Sequence, residues 1–299
     1  MAVWLKLSLI VLCGCLSCWV GSVWAQPPLP GFAALSAGQY PLADRQLSQA
    51  IAHGKATAAL YGNRCWVRLS LERYEEAIKD CSVALDLQPH EPETWLNRGL
   101  AYYRQGQSQA AIADFDQLLQ QSPTDYRAYY NRGLAYLDLA QPEQAIADFQ
   151  QALERLPATE IGAAVDLHTD RCMGELHRAQ PGPAVSACSQ ALELQPSAAR
   201  ARYLRALAHW QLHQPQAAIA DLRQACDAFA QAGATVQLDR ARQLLQHWQQ
   251  QSSLVAQAPR LQSKNWPGAV TYAMDLANCH DRSPLNELEF CCDRAFQQC

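Results

Sequence analysis

The segment Trp95-Leu96-Asn97-Arg98-Gly99-Leu100-Ala101-Tyr102-Tyr103 returns as Tyr129-Tyr130-Asn131-Arg132-Gly133-Leu134-Ala135-Tyr136, an offset of 129 − 95 = 34 residues. Ala77, Ala111 and Ala145 keep the offset, and Ala184 and Ala218 resume it after an insertion. Pro89, Pro123, Pro157 and Pro196 each follow one of these alanines by twelve residues. A unit this short cannot bury both of its faces alone, so the period predicts a stack in which each copy covers its neighbour. Apolar residues recur at helical spacing in both halves of the unit, which reads as two helices.

The motif Trp95, Gly99, Tyr102, Ala111, Phe115 and Pro123, repeated in phase five times, resembles the tetratricopeptide-repeat family. The resemblance implies an all-α, right-handed solenoid of antiparallel helix pairs, with repeats at 58–91, 92–125, 126–159, 165–198 and 199–232. A degenerate N-terminal repeat is expected at 26–57, around Gly38, Ala43, Leu47 and Ala50. A capping helix at 233–250, a linker at 251–265 and a Cys-containing helical tail at 266–299 complete the expected organisation. In the numbering of the repeat, a small residue at position 8 faces a small one at 20, and a bulky residue at 24 fills the gap to the next unit. Pro142, Pro181 and Pro215 fall at position 17, where a fixed φ suits the first turn of the second helix. The extra residues Glu160 to Ala164 predict a lengthened first helix in the fourth repeat.

Two further patterns emerge when the repeats are compared with one another. Arg64, Arg98, Arg132, Arg171 and Arg205 all hold position 7, while Asp80, Asp114, Asp148 and Asp221 hold position 23 and the fourth repeat has Ala187 there. Their regularity predicts structural Arg–Asp pairs rather than a ligand strip. Cysteine occupies positions 8 and 24 together in the first repeat (Cys65, Cys81) and in the fourth (Cys172, Cys188). The other repeats carry Gly99 with Phe115, Gly133 with Phe149, and Ala206 with Leu222. Cysteine at both positions or at neither, on antiparallel helices, predicts two disulfides of one design.

Catalytic signatures are missing from the sequence. No nucleophile elbow, Walker segment, dinucleotide fingerprint or zinc-protease pair occurs among the residues, and His209 with His213 reads as packing. No cofactor or metal is expected. With 24 Lys plus Arg against 28 Asp plus Glu and no basic block, nucleic acid is not an expected partner. The resemblance instead implies protein binding in a concave groove lined by positions 2, 5, 9, 12 and 13 of the first helices. Those positions carry Trp66, Leu69, Leu96, Leu100, Tyr103, Tyr130, Leu134, Leu137, Met173, Tyr203, Leu207 and Trp210, with Arg104, Arg127, Asp138, His177 and Arg200 as charged studs. Such a trough suits a peptide or helix with apolar anchors. The family's carboxylate clamp maps onto Gly62, Trp66, Asn97, Arg127 and Asn131, of which Asn97 alone matches outright, so chaperone-tail binding is not expected.

The first residues carry one charge, Lys6, then an apolar run from Leu7 to Trp24, then Val23-Trp24-Ala25 before Gln26. This reads as a cleaved signal over 1–25, with an uncleaved anchor or a lipidated Cys15 as the alternatives. Each reading places the folded part outside the cytosol, in a periplasm, a thylakoid lumen or an extracellular space. Of the 12 cysteines, Cys279, Cys291, Cys292 and Cys299 lie in the tail. A bond from Cys279 to Cys291 or Cys292 is expected there, with Cys299 meeting Cys226 or another chain. The spacing lacks the C-x-x-C knuckles of zinc sites. The expected function is a non-catalytic interaction scaffold, assembly factor or adaptor; the alternative is a thiol oxidoreductase or redox sensor using the tail.

Overall fold

The computed structural model describes residues 31–262, with side chains as far as Ser253. The signal over 1–25, Cys15 and all four tail cysteines lie outside the described residues. Helices α1 (Phe32–Ser36) and α2 (Tyr40–Ala52) begin the stack. Five hairpins follow: α3 (Ala58–Ser70) with α4 (Tyr74–Leu87), α5 (Pro92–Arg104) with α6 (Ser108–Gln121), α7 (Tyr126–Asp138) with α8 (Pro142–Arg155), α9 (Ile161–His177) with α10 (Pro181–Leu194), and α11 (Ala199–Gln211) with α12 (Pro215–Gln231). Helix α9 is 17 residues against 13 for its sisters, so the insertion adds about one turn.

The turn inside each hairpin repeats one backbone solution. Position 15 is left-handed in every repeat, at Glu72, Gly106, Ala140, Ala179 and His213. The next residue donates its N–H five residues back, as in Gln107 to Tyr102 and Gln141 to Tyr136, both at 2.9 Å. That is the Schellman closure of a helix end, and it positions the second helix to fold back along the first.

Packing across the hairpin rests on positions 8 and 24. A Cβ on Gly99 would come within 2.5 Å of the Phe115 ring, and one on Gly133 within 2.6 Å of Phe149. The missing side chain is what admits the aromatic. The same register extends back to Gly31, whose added Cβ would meet Leu47 at 3.0 Å, so α1 and α2 are a shortened copy of the unit. In the first and fourth repeats this place is taken by disulfides, Cys65–Cys81 and Cys172–Cys188, each with Cα atoms 5.3 Å apart.

Positions 7 and 23 form the Arg–Asp ladder. In Arg64–Asp80, Arg98–Asp114, Arg132–Asp148 and Arg205–Asp221 two guanidinium nitrogens donate to both carboxylate oxygens at 2.7–2.8 Å. The remaining terminal nitrogen reaches position 25 of the preceding repeat: Ser48, Ser82, Asp116 and Ser189. Each arginine thus ties two second helices together, and Trp95, Tyr61 and Tyr129 lie against the guanidinium groups of Arg98, Arg64 and Arg132. The bidentate fork matches the planar carboxylate and suits a partly buried pair.

The C-terminal boundary differs from the sequence expectation. Helix α13 runs without interruption over Thr235–Gln262, so the capping helix does not end at 250 and residues 251–262 are helical rather than linker. Gln, Leu and Ala are good helix formers despite the polar composition, and the helix continues through Pro259. Leu238, Ala241 and Trp248 bury one face of α13 against Leu222, Ala225, Cys226 and Phe229 of α12.

Candidate functional site

The first helices of the hairpins line one concave face, which divides into three stretches of different chemistry. At the N-terminal end lies a cleft of about 660 Å³ bordered by α1, α3 and α5. Gly62 opens it: position 5 holds Leu96, Tyr130, Thr169 and Tyr203 in the later repeats. A Cβ on Gly62 would sit 3.3 Å from Thr94 Oγ1. Phe32 is 51% exposed and Trp66 36% exposed at this cleft, with Trp66 held edge-on to Tyr40 at 5.6 Å. Asn63 and Asn97 add amides, and Glu91, Glu93 and Arg127 complete the polar border.

Arg127 is committed within the protein. Its guanidinium pairs with Asp125 at 2.7 Å and with Glu93 at 2.6 Å. Hydrogen bonds donated first to Asp125 and then to Glu93 hold it charged well above the ordinary arginine range. It borders the cleft as part of an ion cluster in which two carboxylates face one guanidinium.

The middle of the face is charged. Asp170 is 1% exposed; it accepts a hydrogen bond from the Tyr130 hydroxyl at 2.8 Å and pairs with Arg200 at 2.6 Å. Burial, then the Asp170 charge, pushes the Tyr130 hydroxyl far above the usual tyrosine range, so it stays a donor. Burial and Asp170 also push the Asp166 carboxyl up. Ser108 donates to Asp138 at 3.2 Å on the same face. Tyr103 sits among these charges, with burial and Asp138 raising its pKa. Sequence reading passed over Asp170, although its signal was present: it takes position 6, where the first three repeats carry Asn63, Asn97 and Asn131.

The C-terminal end is covered. Trp210 stacks on Trp248 of α13 with ring centroids 4.3 Å apart, and Tyr203 and Leu207 pack on the same cluster. Trp210 is therefore a contact to the cap rather than an open groove residue. Two leucines also depart from the expected trough. Leu137 is 7% exposed, packed with Ala145, Phe149 and Leu167 and close under Gly174. Leu96 is 5% exposed and presents little surface, its bulk spent on Ala111, Ile112 and Phe115. Leu69, Leu100, Tyr103, Tyr130, Leu134 and Met173 are half-buried on the face, while Trp66, Arg104, Asp138, His177 and Arg200 are exposed.

This repeat geometry agrees with what the chain is similar to. Models of the tetratricopeptide repeat match residues 66–128, 126–158, and 31–92 together with 180–233. The chain belongs to the tetratricopeptide-repeat family. A curated relative, "Protein SGT1 homolog" of Oryza sativa subsp. japonica, is 35% identical over 79 residues, which is 26% of this chain and 22% of that protein. The match thus spans about a fifth of that relative's length. Among solved structures, MamA of Desulfovibrio magneticus aligns with a TM-score of 0.52 and 19% identity, over 62% of this chain and 96% of that one. YrrB, described as a tetratricopeptide-repeat protein with an unusual peptide-binding site, gives 0.51 and 21% over 61% and 91%. The Cut9–Hcn1 assembly gives 0.57 and 18% over 71% and 41%. At these identities the structural matches speak to the fold.

Proposed function

We propose that this chain is a non-catalytic adaptor or assembly factor of an exported compartment, holding a peptide or helix of another protein along its concave face. The cleft opened by Gly62 carries the reading. Exposed Phe32 and Trp66 offer an apolar partner side chain a seat, and Asn63 and Asn97 offer amides to the backbone beside it. Aromatic anchors of this kind concentrate binding energy. The peptide-binding site named for YrrB supports the same use of the fold. Two disulfides within the stack favour an oxidising compartment. They are fully buried, and burial pushes the Cys226 thiol up, away from the thiolate that redox chemistry needs. These cysteines give the oxidoreductase alternative no support.

The test is site-directed photocrosslinking in the exported fraction. A photoreactive residue at 100, on the face, is expected to trap one polypeptide that the same residue at 117, on exposed α6 surface, does not. Gly62→Leu fills the cleft and is expected to cut that crosslink at least about tenfold with the helical circular dichroism unchanged. Retention of the crosslink in Gly62→Leu moves the site off this cleft.

A further inference from the structure

Four repeats close the Arg–Asp ladder and the fourth leaves it open. Elsewhere Nε and a terminal nitrogen of the arginine grip the carboxylate sixteen residues on; Arg171 has Ala187 at that place. The hairpin itself is not displaced. Cys172 and Cys188, the next residues along, have Cα atoms 5.3 Å apart, as do Cys65 and Cys81 beside the complete Arg64–Asp80 pair. The backbone relation is kept and only the acid is gone.

The nitrogens of Arg171 are unequally used. One terminal nitrogen donates to Gln150 at 3.1 Å, the usual reach to position 25 of the preceding repeat, and the other donates to Gln190. Nε, which holds the aspartate in the sister repeats, engages no acceptor among the described residues. Glu175, one turn further along α9, pairs with Arg178 at 3.4 Å. Position 4, where Tyr61, Trp95 and Tyr129 lie against their arginines, is taken by His168, and its Nδ1 is shut from water with no hydrogen-bond partner. Burial first, then the neighbouring Arg171 charge, holds His168 neutral down to about 4, and burial pulls the Arg171 guanidinium below its ordinary value. A half-buried cation has been left with neutral amides where its sisters have an anion.

We propose that Arg171 Nε and His168 Nδ1 form a carboxylate site gated by the Gln190 side chain, in which the acid of a ligand takes the place of the missing aspartate. Ala187 is buried where the sisters carry the acid, but Gln190, which holds the terminal nitrogen beside Nε, is exposed, so its side chain is the one a ligand would move aside. A carboxylate fits by taking Nε and displacing the Gln190 amide from the neighbouring terminal nitrogen, which restores the planar, two-oxygen grip of the sister repeats. The same chemistry is offered by a small free acid and by an Asp or Glu side chain of a partner protein.

Titration of the full oxidised chain with sodium formate, chloride replaced at constant ionic strength, tests this through the arginine Nε–H and histidine ring resonances. Arg171 and His168 are expected to shift and saturate at concentrations on the order of millimolar, while Arg98 and Arg132 stay still. Ala187→Asp supplies the acid internally and is expected to abolish the response. Arg171→Lys keeps the charge, loses the fork, and is expected to weaken the His168 shift about tenfold. A second titration uses N-acetyl-aspartate N-methylamide. Response to formate alone assigns the site to free small acids, and response to both assigns it to a protein side chain. No saturable shift with either probe, or an equal shift in Ala187→Asp, overturns the proposal.

Discussion

The third and fourth repeats run the same chain path and lock it by different chemistry. In the third, Phe149 lies against Gly133, closer than any Cβ there would allow, and Arg132 is gripped by Asp148 and Asp116 beneath Tyr129. In the fourth, Cys172–Cys188 replaces the aromatic on glycine, and Arg171 meets two glutamines with His168 nearby. The first repeat separates the two changes, since it has a disulfide and a complete Arg64–Asp80 pair together. Cross-linking the hairpin therefore does not explain the loss of the acid. Positions 8 and 24 need a filled contact, which an aromatic or a covalent bond supplies equally well. The ladder answers a separate demand, the neutralisation of a half-buried guanidinium.

The largest expected difference between the two repeats is their response to reductant. Each disulfide closes a loop of about 15 residues and stabilises by about 3 kcal/mol in the chain-entropy model. Cys172→Ala with Cys188→Ala is expected to lose about that much in urea denaturation, and prolonged dithiothreitol is expected to bring the native chain down through both bonds. Non-reducing peptide mapping should return Cys65 with Cys81 and Cys172 with Cys188. A urea midpoint unmoved by reductant would show that packing alone holds these hairpins.

Acid should separate the repeats next. His168 has a folded pKa of about 4 against an ordinary value of 6.5. The unfolded chain takes up the proton first, so stability from the neutral ring is full above about pH 6.5 and is lost as pH falls through about 4. The ring is only partly buried, which discounts the effect to about 1–2 kcal/mol. His168→Tyr restores the residue type of the third repeat at this position and is expected to flatten the Tm profile between these pH values. A profile as steep as the native one would assign the acid sensitivity to the carboxylates.

The smallest effect should be common to both repeats. Ala140 and Ala179 hold left-handed backbone at φ of +53° and +55°, where the second repeat has Gly106 at +78°. Ala140→Gly and Ala179→Gly are each expected to gain about 0.5–1 kcal/mol, because glycine escapes the steric cost that a Cβ meets there. Equal gains by urea denaturation would confirm that the turn is one design; a loss in either would show that the alanine methyl contributes packing.

What sequence reading recovered depended on how far apart the interacting residues lie. Arg132 with Asp148 and Cys172 with Cys188 are sixteen residues apart within one hairpin, and a period compared with itself exposes such pairs directly. The groove depends on what neighbouring repeats cover. Nothing near Trp210 announces that Trp248 will stack on it, and Leu137 is withdrawn by the approach of α9 beneath Gly174. Asp170 gathers Tyr130, forty residues earlier, and Arg200, thirty residues later, so its network has no local signature. The expected linker has another cause: a polar run resembles a loop in composition, yet its Gln, Leu and Ala carry α13 on to Gln262.

The placement of the two disulfides also sets where the solenoid can come apart. A linear stack loosens from its ends, since a terminal hairpin has a neighbour on one side only. Here the first and fourth of five hairpins carry a covalent stop, and the second and third lie between them. Fraying from the N-terminal side meets a cross-link after α1 and α2, while fraying from the C-terminal side can release α13, α11 and α12 before it reaches one. The two ends therefore differ in how much chain they surrender to an opening excursion, and the stretch between Cys81 and Cys172 is expected to exchange most slowly among the described residues.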